Sequence, residues 1–128
     1  VYSKFGNNFV KNMLRLASEK DEISVVSDQI GTPTNAADLA STILTILPKI
    51  KNKNVELFHY SNEGVCSWYD FSKSIFELNK QVIKVKPIES SQYPTPAERP
   101  FYSVLNKEKI KKMYDIKIPH WKESLLDF

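Results

Sequence analysis

The run Val25-Val26-Ser27-Asp28-Gln29-Ile30-Gly31-Thr32-Pro33-Thr34, closed by Asp38-Leu39-Ala40, constrains this chain more than any other stretch: it spells a strand, a polar turn and a helix start. Val25 and Val26 suit a pleated strand, Gly31 tolerates backbone angles that other residues resist, and Pro33 fixes the approach to Thr34. Thr34 is then expected to cap the following helix through its hydroxyl, with Asp38 placed early enough to favour the positive helix end. Such a turn suits a polar ligand. By itself it is equally an ordinary strand-to-helix joint.

The neighbouring segments alternate in the same way. Phe9, Val10, Met13, Leu14, Leu16 and Ala17 fall mostly at helical spacing, which predicts a helix from about Asn8 to Lys20 with Asn7 as its cap. Ile23 to Ser27 reads as a short strand, and Asn35 to about Leu47 as a helix so apolar all round that a central position is expected. Pro48 sits where that helix ends, and 49–54 reads as a polar connection. Val55 to Tyr60 alternates like a strand, ahead of the Asn62-Glu63-Gly64 turn. Ser67-Trp68-Tyr69-Asp70 is a capping box with Asp in place of Glu, and Phe71, Ile75, Phe76 and Leu78 form the stripe to be buried behind it. Val82 to Ile88 reads as a strand able to pair with Ile23 to Ser27. Pro94, Pro96 and Pro100 make Ser90 to Pro100 a loop, and long loops in compact domains are often functional. Tyr102 to Leu105 is extended, Asn106 caps a basic helix to about Tyr114, and Pro119 begins a last helix through Leu125. Helices alternating with strands define an α/β class.

At 128 residues the chain amounts to one domain, and no apolar run approaches the ~20 residues of a membrane span. The net charge of +3 is spread through interleaved acids and bases, except over Lys107 to Lys112. There the lysines mix with Glu108 and no aromatic platform accompanies them, so a nucleic-acid surface is not expected. A single cysteine, Cys66, excludes an intrachain disulfide, and no signal peptide opens the chain; a cytoplasmic, reducing compartment is expected. Val1-Tyr2-Ser3 lacks an initiator Met and reads as the tail of a strand, which points to a piece of a larger protein.

Among the residue constellations, Tyr69-x-x-x-Lys73 has the spacing of a proton-donating dyad on one helix face, but no nicotinamide loop accompanies it. His59, His120 and Cys66 stand at no ligand spacing, so no metal site is expected, and Cys66 reads as a small buried residue at a helix entrance. Gly6, Gly31 and Gly64 are the only glycines, too few for a loop that wraps a pyrophosphate. Gly6-Asn7-Asn8-Phe9 opening a helix is either an ordinary cap or a place for phosphate oxygens. Arg99 is either a surface residue held by Glu98 or a bidentate partner for a diphosphate, for which guanidinium is better shaped than the lysines elsewhere.

Four segments, taken in order, carry a resemblance: Val1-Tyr2-Ser3 through Gly6-Asn7-Asn8-Phe9; Asp28 to Thr34; His59-Tyr60-Ser61-Asn62-Glu63-Gly64 through Ser67-Trp68-Tyr69-Asp70-Phe71; and Arg99-Pro100-Phe101-Tyr102-Ser103-Val104-Leu105. In register they resemble the C-terminal half of the dTDP-4-dehydrorhamnose reductase family, extended members of the short-chain dehydrogenases/reductases. The resemblance implies a small C-terminal substrate-binding domain, residues 1–128, of a Rossmann-type reductase whose nucleotide-binding half is absent. It implies a parent that reduces dTDP-6-deoxy-L-lyxo-4-hexulose to dTDP-L-rhamnose with NADPH or NADH, with Mg as an optional companion. Both the cofactor loop and the catalytic Tyr and Lys belong to the absent half. This chain alone is therefore expected to bind no cofactor and to be inactive.

The resemblance also places Asn8 and Phe9 against the nucleotide diphosphate and Arg99 at the same cleft, with Gln29, Pro33 and Thr34 lining it. The implied partners are a dTDP-sugar and the missing N-terminal Rossmann half. In the family the strand matching Leu57 to Tyr60 joins the large sheet of that half. Its edge lacks a partner here, so dimerisation or a rearranged segment around Val55 to Ser61 is expected. A non-catalytic, reductase-like interaction or regulatory subunit is the alternative reading.

Overall fold

A computed structural model describes residues 1–51 and 53–128. The elements run α1 (Phe9–Glu19), β1 (Glu22–Val26), β2 (Ile30–Gly31), α2 (Ala36–Ile46), β3 (Cys66–Ser67), α3 (Trp68–Leu78), β4 (Lys84–Ile88), α4 (Glu108–Tyr114) and α5 (Trp121–Leu126). Single 3-10 turns follow at Leu47–Lys49 and Ser90–Gln92. The chain is α/β, as its periodicity indicates.

β1 and β4 pair in parallel, Glu22 opposite Lys84 through Val26 opposite Ile88, and β2 pairs antiparallel with β3. A parallel pair needs a long crossover, and α3 supplies its cover by packing on both strands. Ser27 N–H donates to Ile88 O and Lys84 N–H to Asp21 O. Residues 84, 86 and 88 therefore turn their backbone toward β1, while Val85 and Pro87 turn theirs outward. Pro87 has no N–H to offer, so it fits only at that outer edge.

The main core joins Val10 and Met13 of α1, Ile23 and Val25 of β1, Phe71, Ile75 and Phe76 of α3, and Trp121 and Leu125 of α5. Phe71 is its centre, touching the rings of Tyr2, Phe9 and Trp121 at centroid separations of 5.6, 5.6 and 5.8 Å. The Ser67–Asp70 capping box forms as the sequence indicates: Ser67 Oγ accepts from Asp70 N–H, and Asp70 Oδ2 accepts from Ser67 N–H, each at 3.0 Å. Tyr69 packs against this core, as a structural residue of α3 would.

Several expectations are corrected. The cap of α1 is Asn8 rather than Asn7, its Oδ1 accepting from Lys11 N–H at 3.2 Å. The cap of α2 is Asn35 rather than Thr34. The reason is tertiary: Thr34 O accepts from Tyr2 N–H and Tyr2 O from Ala36 N–H, so the chain stays extended through Thr34 and the helix begins later. Gly31 does not adopt a left-handed backbone. Its neighbour is close instead, since a Cβ there would lie 2.9 Å from Ser103 Oγ and that hydroxyl would have to turn aside.

α2 is not central. Ile43, Leu44 and Leu47 lie exposed along it, because nothing among the described residues covers that face, and Leu78 at the end of α3 is exposed too. Val55 to Tyr60 forms no ladder. Its neighbour is α4, from which Lys109 Nζ donates to Leu57 O and Glu56 Oε2, while Phe58 and Tyr60 pack on Ile110, Tyr114 and Ile116. α4 starts at Glu108, although Asn106 Oδ1 does accept the Glu108 N–H, and the last helix starts at Trp121 with His120 as its cap. Of the connection expected over 49–54, position 52 lies outside the described residues.

Candidate functional site

The starts of α1 and α3, strand β1, the turn after it and the proline-rich loop enclose a cavity of about 1060 Å³. Four of the residues singled out from the sequence line it: Phe9, Gln29, Pro33 and Arg99. They come from three well-separated segments. Asn8 and Thr34 are not among its lining residues. Both polar ends of the Asn8 side chain are used locally, Oδ1 on Lys11 N–H and Nδ2 on Ser3 O at 2.7 Å. Thr34 is buried beneath the Tyr2 bridge.

One wall is aromatic. Phe9 lies 4.7 Å from Trp68 and 5.6 Å from Phe71 between ring centroids, and the half-exposed Trp68 faces the cavity. Tyr93, Thr95 and Arg99 from the proline-rich loop also line it. Arg99 and Lys20 bring positive charge to the space, while Glu22 at the rim is engaged by Lys86 and Lys84 at 2.6 and 3.0 Å. Those ammonium groups, Lys86 first, hold the Glu22 carboxyl below its usual range. Flat apolar rings and a guanidinium lining one cavity suit a ligand that carries both a planar ring and an anion.

The loop rim is tied to the turn after β1. Both oxygens of Asp28 accept from Ser90 N–H, at 3.0 and 2.9 Å, and Oδ1 also accepts from Ser90 Oγ at 2.7 Å. These bonds, the backbone N–H first, hold the Asp28 carboxyl below its ordinary value. Gln29 Nε2 donates to the same Ser90 hydroxyl at 2.9 Å, so the predicted cavity residue also has a structural partner.

Behind the Thr32-Pro33 wall lies a polar knot that sequence reasoning missed. Asn62, fully buried, accepts Asn35 N–H on Oδ1 at 2.8 Å, while its Nδ2 lies 2.6 Å from Asp38 Oδ2 and 2.8 Å from Ser124 Oγ. Ser124 Oγ donates to Asp38 Oδ2 at 2.6 Å, and Lys107 Nζ donates to Asn62 O at 2.8 Å. Thr32 Oγ1 donates to Gly64 O at 2.7 Å, which seats the cavity wall on this knot. Its partners are far apart in sequence, and only the Asn62-Glu63-Gly64 turn was visible there. The lysines of 107–112 are engaged by acids: Lys107 and Lys111 with Glu63, Lys109 with Glu56, and Lys112 with Glu108.

Cys66 also lines the cavity, yet it is buried, and that burial, assisted by the Asp70 carboxylate, pushes its thiol up to about 12. At pH 8 the folded chain should react with an aromatic disulfide reagent roughly a thousandfold more slowly than the denatured chain, because thiolate is the reactive form. Equal rates of thiol release, followed by absorbance, would contradict the burial.

The fold and site define a class in physical terms: a small α/β unit whose helices, strand β1 and loops wall a cavity carrying aromatic rings and a guanidinium. The particular assignment follows from comparison. The family model described as "RmlD substrate binding domain" matches residues 1–128, and the chain belongs to that family. It is 42% identical over 132 residues to the dTDP-4-dehydrorhamnose reductase of Sinorhizobium fredii, covering 97% of this chain and 45% of the relative. It is 38% identical over 128 residues to the spore coat polysaccharide biosynthesis protein SpsK of Bacillus subtilis, covering 100% of this chain and 44% of that one. The crystal structure of dTDP-4-dehydrorhamnose reductase from Bacillus anthracis in complex with NADP superposes with a TM-score of 0.89 at 39% identity, over 99% of this chain and 44% of that chain. The Clostridium acetobutylicum orthologue gives 0.87 at 43%, over 96% and 43%. The chain thus spans less than half the length of these relatives. Among the described residues no helix is long and apolar enough to cross a membrane.

Proposed function

We propose that this chain is the nucleotide-sugar-holding part of a dTDP-4-dehydrorhamnose reductase, residues 1–128 forming its C-terminal substrate-binding domain. The observation that carries the reading is the single cavity into which Phe9, Gln29, Pro33 and Arg99 converge. In the parent reaction the C4 ketone of dTDP-6-deoxy-L-lyxo-4-hexulose is reduced to give dTDP-L-rhamnose, and NADPH or NADH supplies the hydride. Arg99 holds the diphosphate and the aromatic wall shelters the rest of the ligand. Neither a cofactor loop nor a proton-donating Tyr/Lys pair stands at this cavity, so the chain alone binds the sugar nucleotide without turning it over. The bare apolar face of α2 and the exposed Val55 and Leu57 are where the N-terminal part of such an enzyme, or a second copy, packs.

Calorimetry with dTDP tests the reading. The chain should bind dTDP, and Arg99→Ala should weaken binding about tenfold or more through loss of a charge-assisted contact. Absence of binding by the unaltered chain would overturn the proposal in favour of a non-catalytic interaction subunit. Turnover of keto-sugar by the chain with NADPH would overturn its inactivity.

A further inference from the structure

The proline-rich segment is an exposed strap with both feet on one turn. It leaves the body at Ser90, held by Asp28, and returns where Ile30 N–H donates to Phe101 O at 2.8 Å and Ser103 N–H to Ile30 O at 2.9 Å. Residues 91–100 between the feet are all exposed. Their hydrogen bonds are local: Gln92 N–H to Glu89 O, Glu89 N–H to Gln92 Oε1, Ser91 Oγ to Glu89 Oε2, Tyr93 N–H to Ser90 O, and Thr95 Oγ1 to Ala97 O. A loop with closed ends and so little packing takes its position from its feet.

The two feet differ in kind. The Ile30 foot consists of neutral bonds, two of backbone and one from Ser103 Oγ to Ile30 O, whereas the Asp28 foot gathers two charge-assisted donors of Ser90, its N–H shared between both carboxylate oxygens and its hydroxyl, the stronger class. Tyr93 stands three residues beyond Ser90, its N–H bonded to Ser90 O at 3.0 Å, and its side chain faces the cavity. We propose that Asp28 is a positioning residue: by clamping Ser90 it sets where Tyr93 and the strap stand over the cavity, and thereby tunes affinity for the nucleotide without touching it. This rests on the nucleotide-binding reading above. It adds that the affinity is adjusted from the far side of the turn.

The test combines dTDP calorimetry with amide hydrogen exchange on the ligand-free 128-residue chain, using Asp28→Ala, Asp28→Asn, Tyr93→Ala and the Asp28→Ala/Tyr93→Ala double variant, with circular dichroism to verify folding. Asp28→Ala should bind dTDP about tenfold more weakly, Asp28→Asn should be intermediate because one acceptor oxygen remains, and the loss should vanish in the Tyr93→Ala background. Exchange at Gln92 and Tyr93 should quicken in Asp28→Ala while α3 is unaffected. Unchanged affinity in Asp28→Ala, or a loss that simply adds to that of Tyr93→Ala, overturns the proposal while leaving the nucleotide reading intact. If the unaltered chain binds no dTDP, the nucleotide reading fails instead, and the exchange data decide the clamp: unchanged exchange at Gln92 and Tyr93 overturns it.

Discussion

Asn62→Ala is expected to remove about 3 kcal/mol of stability, a large share of what a domain of this size possesses. The side chain is fully buried and joins its own turn to two helices: its Oδ1 receives Asn35 N–H at the start of α2, its Nδ2 meets Asp38 in the first turn of α2, and the same Nδ2 lies on Ser124 of α5. Alanine leaves a backbone N–H without its acceptor and deprives a carboxylate of one of its donors. The orphaned N–H lies in a buried bond, so its loss incurs desolvation that water cannot relieve. Thermal unfolding followed by circular dichroism should show a midpoint lower by roughly 10 °C. A midpoint within a degree or two of the parent would mean that the knot is not what holds α2 to α5.

Gly64→Ala is the second large effect, and its cause is space. Gly64 has φ +82°, a left-handed value that costs an L side chain about 1 kcal/mol, and a Cβ built there would lie 2.1 Å from His120 Nε2. His120 cannot simply swing away, because its Nδ1 accepts Lys122 N–H at 3.2 Å and caps α5. Relief requires either uncapping that helix or moving the turn, and with it Gly64 O, the acceptor of Thr32 Oγ1. A total of about 3 kcal/mol follows. Denaturant titration reads it as a lower midpoint with unchanged slope. The double variant Gly64→Ala/His120→Ala should recover the steric share, whereas equal instability of both variants would place the strain elsewhere.

These two residues show where the sequence was legible. Periodicity alone located α1 and α3, and the Ser67–Asp70 box could be read because a cap and its helix are neighbours in sequence. The pairing of β1 with β4 followed from two β-branched runs of similar length. The N-terminus of α2 is not legible locally, because Tyr2 competes for the Thr34 carbonyl across more than thirty positions, which no local rule records. The helix was judged central from its apolar composition, yet composition reports only that a face should be covered, not that the cover belongs to the same 128 residues. In the cavity, Phe9, Gln29, Pro33 and Arg99 are reached through the family resemblance, with guanidinium chemistry adding to it for Arg99 alone. The Asp28–Ser90 clamp is not legible, because its ends lie 62 positions apart and both residues look like ordinary loop formers.

Pro87 carries a consequence for handling the chain. Two short strands in parallel would ordinarily invite further copies to stack on the outside, which is how fibrils are seeded. With Pro87 withholding its N–H from the outward margin of β4, that route lacks one of its rungs, and the small sheet is a poorer template for cross-β growth on that side.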